Sequence, residues 1–89
     1  MTLQADPDVV FRRLGERMVL IQLQTNNIFD LNETSARLWE LLVEVGEPAE
    51  ISARLVAEYD VDPELLRQEI TQTLAAFAEN DLITGYASR

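Results

Sequence analysis

The spacing of apolar residues changes once along this chain. Up to Leu31 they fall in short runs; from Asn32 onward they recur every three or four positions. Val9-Val10-Phe11 is a β-branched and aromatic run after Pro7, and Leu14-Gly15-Glu16 gives a turn signal. Met18 to Ile21 is continuously apolar and leads into Gln22-Leu23-Gln24, where alternation becomes visible. This predicts a strand with one face fully buried and the other partly polar. Thr25-Asn26-Asn27 follows as a tight hairpin turn, because Asn tolerates positive φ. Ile28 to Leu31 makes a third, very short strand. Such short turns cannot connect parallel strands, so the pattern predicts a three-stranded antiparallel meander.

Asn32 is a good N-cap, with Glu33 favourably placed at the positive end of the helix dipole. Ala36, Leu38, Trp39, Leu42 and Val45 follow at helical spacing, widened by Leu41 and Val43, and Gly46 is placed to end the helix. Pro48 can open a second helix, buried through Ile51, Leu55, Val56 and Tyr59. Asp62-Pro63-Glu64 is the clearest helix start, followed by Leu66, Ile70, Leu74 and Phe77. Asn80-Asp81 ends this helix, and Leu82-Ile83-Thr84 forms a short returning segment. The expected fold is α+β and winged-helix-like, a three-stranded antiparallel sheet followed by three α-helices, with short frayed ends. At 89 residues, a single domain over 1–89 is expected.

Composition narrows the chemistry. The chain has no Cys and no His, which removes thiolate metal sites, cysteine nucleophiles, the commonest general base and the commonest metal ligand. Acid pairs at helical spacing, Glu40/Glu44 and Glu47/Glu50, read as solvated helix faces. There is no calcium-loop pattern and no glycine-rich phosphate loop. The serines at 35, 52 and 88 do not match the Asp-Ser-Leu attachment site of acyl carriers. No catalytic residue, metal or cofactor is expected. Seven basic residues, all Arg, stand against sixteen acids, for a net charge of −9. A nucleic-acid partner is therefore a poor expectation despite the winged-helix order. No apolar stretch is long enough to span a membrane and the start does not look like a signal peptide, so a cytoplasmic protein is expected.

What remains is binding. The outer strands of a meander are edges with unpaired N–H and C=O groups. Ile28–Leu31 is short, apolar and guarded only by Asp30. An extended peptide could add there as a fourth strand, with the third helix as the other wall of a groove. Arg67, Thr71 and Ala75 are the helix positions expected to face it, and Arg67 could pair with a peptide carboxylate.

The segment from Ile28 to Leu42, IFDLNETSARLWELL, resembles the signature of the PqqD family, named for a small protein of pyrroloquinoline quinone biosynthesis. That pattern has an aromatic residue, Leu-Asn, a Thr/Ser/Ala-rich turn and Trp-x-Leu-Leu. Ile51 to Leu55, Tyr59-Asp60-Val61-Asp62 and Phe77 to Ile83 match its continuation in order, over about residues 9–84. The resemblance implies a non-catalytic recognition domain for ribosomally made, post-translationally modified peptides. Such domains bind the leader segment of a precursor by strand addition to the third strand, against the third helix. On this sequence that places Asn27, Ile28, Phe29, Asp30 and Leu31 at the site, with the Arg67–Leu74 stretch that includes Ile70, Thr71 and Leu74. The implied partners are a precursor leader peptide and a leader peptidase or modifying enzyme. In lasso-peptide pathways, the preferred expectation, that partner is a cysteine-protease-like leader peptidase. A quinone-cofactor chaperone serving a radical SAM enzyme is the alternative, and a winged-helix nucleic-acid binder a more distant one.

Overall fold

The computed structural model describes residues 2–86. Three antiparallel strands, β2 (Val9–Leu14), β3 (Arg17–Gln22) and β4 (Asn27–Leu31), form a sheet in sequence order. Three helices follow: α1 (Glu33–Glu44), α2 (Pro48–Glu58) and α3 (Pro63–Glu79). This is the expected α+β arrangement, and β4 is the third strand of the meander. Two further strands, β1 (Gln4–Ala5) and β5 (Ile83–Thr84), pair with each other as a separate antiparallel ribbon.

Helix starts lie where the capping residues place them. Asn32 Oδ1 accepts from the Ser35 amide at 2.9 Å, and Asp62 Oδ1 from the Glu64 amide at 2.9 Å, with Pro63 opening α3. Glu47 caps α2 ahead of Pro48 by accepting from the Ala49 and Glu50 amides. These carboxylates and amides occupy N–H groups that the first helical turn leaves without a partner.

The core joins one sheet face to all three helices. Met18, Leu20 and Gln22 point inward from β3, against Leu38, Trp39, Leu41 and Leu42 of α1, Ile51 and Leu55 of α2, and Leu66, Ile70, Leu74 and Phe77 of α3, all buried. Trp39 lies at the centre, with Phe11 and Phe77 edge-on to it at centroid distances of 5.6 and 5.5 Å. Edge-to-face rings place the positive rim of one ring on the negative face of the next.

Two expectations are corrected. The N-terminal end does not fray: Leu3 is buried, and its amide donates to the Gly46 carbonyl at 2.7 Å. Gly46 has φ +81°, and a Cβ there would stand 2.8 Å from the Leu3 carbonyl oxygen. The glycine that ends α1 thus also admits the N-terminal strand. The second correction is the β3–β4 turn, which takes Leu23 to Asn26, so that β3 stops at Gln22 and Asn27 belongs to β4. Asn26 adopts φ +60° and donates its amide to the Gln22 carbonyl at 2.8 Å, which closes the loop one residue earlier. Gln22 is fully buried; its side chain accepts from the Gln24 amide and donates to the Asp81 carbonyl at 2.6 Å.

Candidate peptide-binding edge

In an antiparallel ladder, alternate residues direct both backbone groups at one neighbour. The Leu23 amide donates to the Asp8 carbonyl at 2.9 Å, which fixes the phase between β2 and β3. Val10–Ile21 and Arg12–Val19 are then the hydrogen-bonded pairs, and Met18, Leu20 and Gln22 turn their backbone groups toward β4. Their partners are Leu31, Phe29 and Asn27. Ile28 and Asp30 therefore aim their N–H and C=O groups away from the sheet. Among the described residues, no turn, loop or cap hydrogen bond uses those four groups.

Beside this edge lies a groove of about 460 Å³ between β4 and α3. Ile28, Phe29, Asp30 and Leu31 form one wall. Gln72, Thr73, Ala76, Phe77 and Asn80 form the other, with Ser35 and Leu82 at the ends. Asp30 is the one formally charged residue lining it, and its carboxylate, on the far sheet face, receives Arg17 Nε at 3.1 Å. The trough can thus receive neutral, apolar side chains. Phe77 connects it to the core, since the same ring packs on Trp39.

The anticipated residues fall into three places. Asn27 to Leu31 make up β4 itself. Arg67 and Thr71 lie nearer the start of α3, in a shallower depression of about 320 Å³ that meets the groove at Gln72. Arg67 pairs loosely with Glu64 at 3.8 Å, and Thr71 Oγ1 donates to the Arg67 carbonyl at 3.0 Å. Ile70 and Leu74 are buried in the core and do not line either depression. They belong to the stripe Leu66, Ile70, Leu74 and Phe77, which turns inward. Of the groove wall, Gln72 and Thr73 fall inside the anticipated Arg67–Leu74 stretch without being singled out, and Ala76 and Asn80 lie beyond it. The wall's signal was present: these positions also recur at helical spacing, one helix flank away from the buried stripe.

The acid pairs of the helices have structural partners. Glu40 receives Arg13 and Arg37 at 3.3 and 3.2 Å. Arg54 holds Glu44 and Glu50 at 3.4 and 2.9 Å, and Glu47 is a helix cap. Arg37 bridges α1 to α2 through a two-pronged pair with Glu58, both contacts at 2.8 Å. That hydrogen bond holds the Glu58 carboxyl below its ordinary value against a smaller opposing effect of burial, and raises Arg37. Among the described residues, no group of three or more acidic, His or Cys side chains is arranged to hold a metal, and no helix is long and apolar enough to cross a membrane.

The family model for coenzyme PQQ synthesis protein D (PqqD) matches residues 17–83, which include the edge strand, the groove and all three helices. The chain belongs to the PqqD family. Among solved structures, TbiB1 in complex with the TbiA(beta) leader peptide is 34% identical, with a TM-score of 0.88 over 96% of this chain and 99% of that one. Lasso peptide synthetase B1 complexed with the leader peptide shares the fold at 22% identity, with a TM-score of 0.81 over 93% of this chain and 98% of that one. No curated protein matches.

Proposed function

We propose that this PqqD-family chain binds the leader segment of a ribosomally made precursor peptide as a fourth strand on β4. It performs no chemistry and presents the precursor to a separate enzyme. A lasso-type pathway with a leader peptidase is preferred over a quinone-cofactor pathway with a radical SAM enzyme. The observation that carries this reading is the outward aim of the Ile28 and Asp30 backbone groups beside a groove whose helical wall is uncharged. The resemblance to TbiB1, solved with a leader peptide, supports it.

The register defines what the guest must be. Residues opposite Ile28 and Asp30 exchange main-chain hydrogen bonds, and their side chains join the far face of the sheet. The residue between them, opposite Phe29, drops its side chain into the groove. Main-chain pairing supplies affinity, and the trough selects for apolar residues at alternate positions. Arg67 and Thr71 are placed to meet a guest that continues along α3 past Gln72.

A DNA-reading winged helix is not supported. Its recognition helix would be α3, which carries Arg67 against Glu64, Glu69 and Glu79.

The test is titration with the leader of the chain's own precursor, with the TbiA(beta) leader as a second probe. Binding is expected at sub-micromolar to micromolar strength, about −8 to −10 kcal/mol, with little dependence on salt. Amide exchange should slow on binding at Ile28 and Asp30, while Phe29 and Leu31, already paired with β3, change little. Protection that spares Ile28 and Asp30 would rule out strand addition at this edge.

A further inference from the structure

The groove has a continuation that leaves the sheet. Leu65, Glu69, Thr73, Ala76 and Asn80 follow one another along α3 at three- and four-residue spacing, so they share one flank of the helix. Thr73, Ala76 and Asn80 wall the groove, and Leu65 and Glu69 line a further recess of about 170 Å³ nearer the helix start. Its other walls are Thr34 of α1, next to Ser35 of the groove, and Tyr59 and Val61 from the link between α2 and α3. Thr34 stands three positions beyond Leu31, where β4 ends. The depression at Arg67 is lined by α3 alone, whereas this recess joins the end of β4 to the flank that walls the groove.

The recess is apolar inside and acidic at its rim. Leu66 is buried there, while Val61 and Leu65 are 55% and 63% exposed. Asp62 and Glu69 line it, and Glu33 and Asp60 adjoin its lining residues in the chain. The Tyr59 hydroxyl is held above its ordinary value first by burial, then by the carboxylates of Glu33 and Glu58, so Glu33 acts on this corner. Among the described residues, Glu33, Asp60, Asp62 and Glu69 enter no salt bridge, and Arg37, Arg54 and Arg67 are each committed to other carboxylates.

Unpaired carboxylates around exposed apolar side chains complement an apolar residue flanked by Lys or Arg. Continuity with the groove identifies the chain that carries it. Antiparallel pairing, the more stable arrangement, sends the amino-terminal side of a guest on β4 past Leu31 toward Thr34. An extension already tethered by the paired strand reaches the recess at high effective concentration, so weak exposed ion pairs suffice to hold it.

We propose that this recess selects leaders that are basic just ahead of the stretch paired with β4, seating an apolar side chain against Val61 and Leu65 with its cationic neighbours facing Glu33 and Glu69. The inference rests on the leader-binding reading above and adds a second criterion to it: the trough sorts guests by their apolar anchors, the recess by the sign of their charge.

The probe is the stretch of the TbiA(beta) leader whose amides are protected on binding. It is made as a labelled peptide, alone or with Lys-Leu-Lys, Ser-Leu-Ser or Glu-Leu-Glu added at its amino end. Anisotropy with the full chain should rank the three extensions in that order, with about tenfold between first and last at low salt and a smaller gap at high salt. Glu33→Gln/Glu69→Gln should bring the three within about twofold of one another. Leu65→Ser should weaken all three by about threefold and spare the unextended peptide. Extended peptides that all bind the parent within about twofold of the unextended one overturn the inference and leave leader binding standing. A Lys preference that survives Glu33→Gln/Glu69→Gln belongs to the overall charge of −9 and overturns it as well. So does an equal gain from Lys-Leu-Lys at the carboxyl end. A parent dimer in sedimentation that Leu65→Ser dissolves assigns the recess to a second copy and also overturns it. An unextended peptide that fails to bind the parent is instead a failure of the leader-binding reading, and this inference falls with it.

Discussion

The sheet has two outer edges, and they are treated differently. On β2, the residues whose backbone groups face outward are Val9, Phe11 and Arg13. The Val9 amide already donates to the Asp6 carbonyl at 3.0 Å, and the Arg13 side chain reaches both the Gly15 carbonyl and Glu40. Charge and self-bonding are the ordinary defences of an exposed strand. On β4, Ile28 and Asp30 offer their groups unspent, next to a trough walled by α3. One sheet therefore carries a guarded edge and a receptive one. The difference lies in what stands beside each strand, not in strand length or register.

The sharpest way to break this contrast is to put the same residue on both edges. Ile28→Pro removes an outward donor without touching the β3 ladder, because the Ile28 amide does not pair with β3. Leader binding should fall by at least about a hundredfold, roughly 2.7 kcal/mol or more, with the far-UV spectrum retained. Arg13→Pro removes the corresponding donor from the other edge and should leave leader affinity within twofold. Equal losses from the two prolines would show that strand addition at β4 is not the mode of binding.

The next effect concerns what holds the groove open. Gln22 ties the end of β3 to Asp81, just past the C-terminus of α3. Gln22→Leu keeps the volume but strips a part-buried carbonyl and a turn amide of their partner, at a cost of about 2 kcal/mol. Urea unfolding should show the lower midpoint. Leader affinity should weaken as well, since this tether fixes the far groove wall relative to the sheet. Unchanged affinity at reduced stability would mean that other contacts set the spacing.

A smaller change blocks the trough alone. Ala76 is exposed on its helical wall. Ala76→Arg should weaken the leader by about tenfold, about 1.4 kcal/mol, without lowering the unfolding midpoint. An affinity that holds would place the guest's anchoring side chains elsewhere.

The sequence shows the meander, the order of helices and the edge strand because each rests on local signals. Asn32 and Asp62 cap as their side chains dictate, and Leu66, Ile70, Leu74 and Phe77 declare one buried stripe. The β1–β5 ribbon is not legible, because each strand has two residues and the pairing joins positions 4 and 84. The sequence places the helical wall over Arg67–Leu74, and the groove is lined from Gln72 to Asn80, so the two overlap only at Gln72 and Thr73. Periodicity locates the buried stripe of α3, but only tertiary packing decides which flank of it meets β4. Ile70 and Leu74 carry the strongest apolar signal on the helix, and for that reason they are consumed by the core.

The smallest expected effect concerns the guarded edge. Arg13, Glu40, Arg37 and Glu58 link β2 through α1 to α2. Glu58 has its carboxyl lowered from 4.5, first by the hydrogen bond from Arg37. A carboxyl that is more acidic in the folded state than in the unfolded state contributes stability above the ordinary carboxylate range and loses it as pH falls through the folded value. The pair is more than a third exposed on the Glu58 side, 38%, so its contribution is about 0.5–1 kcal/mol. Glu58→Gln should therefore lower stability by that amount at pH 7 and make almost no difference well below pH 4. Leader affinity at pH 7 should not change, because the network backs β2 rather than β4. A loss of leader binding in this variant would mean that the two edges communicate through α1, and the separation drawn between them would fail.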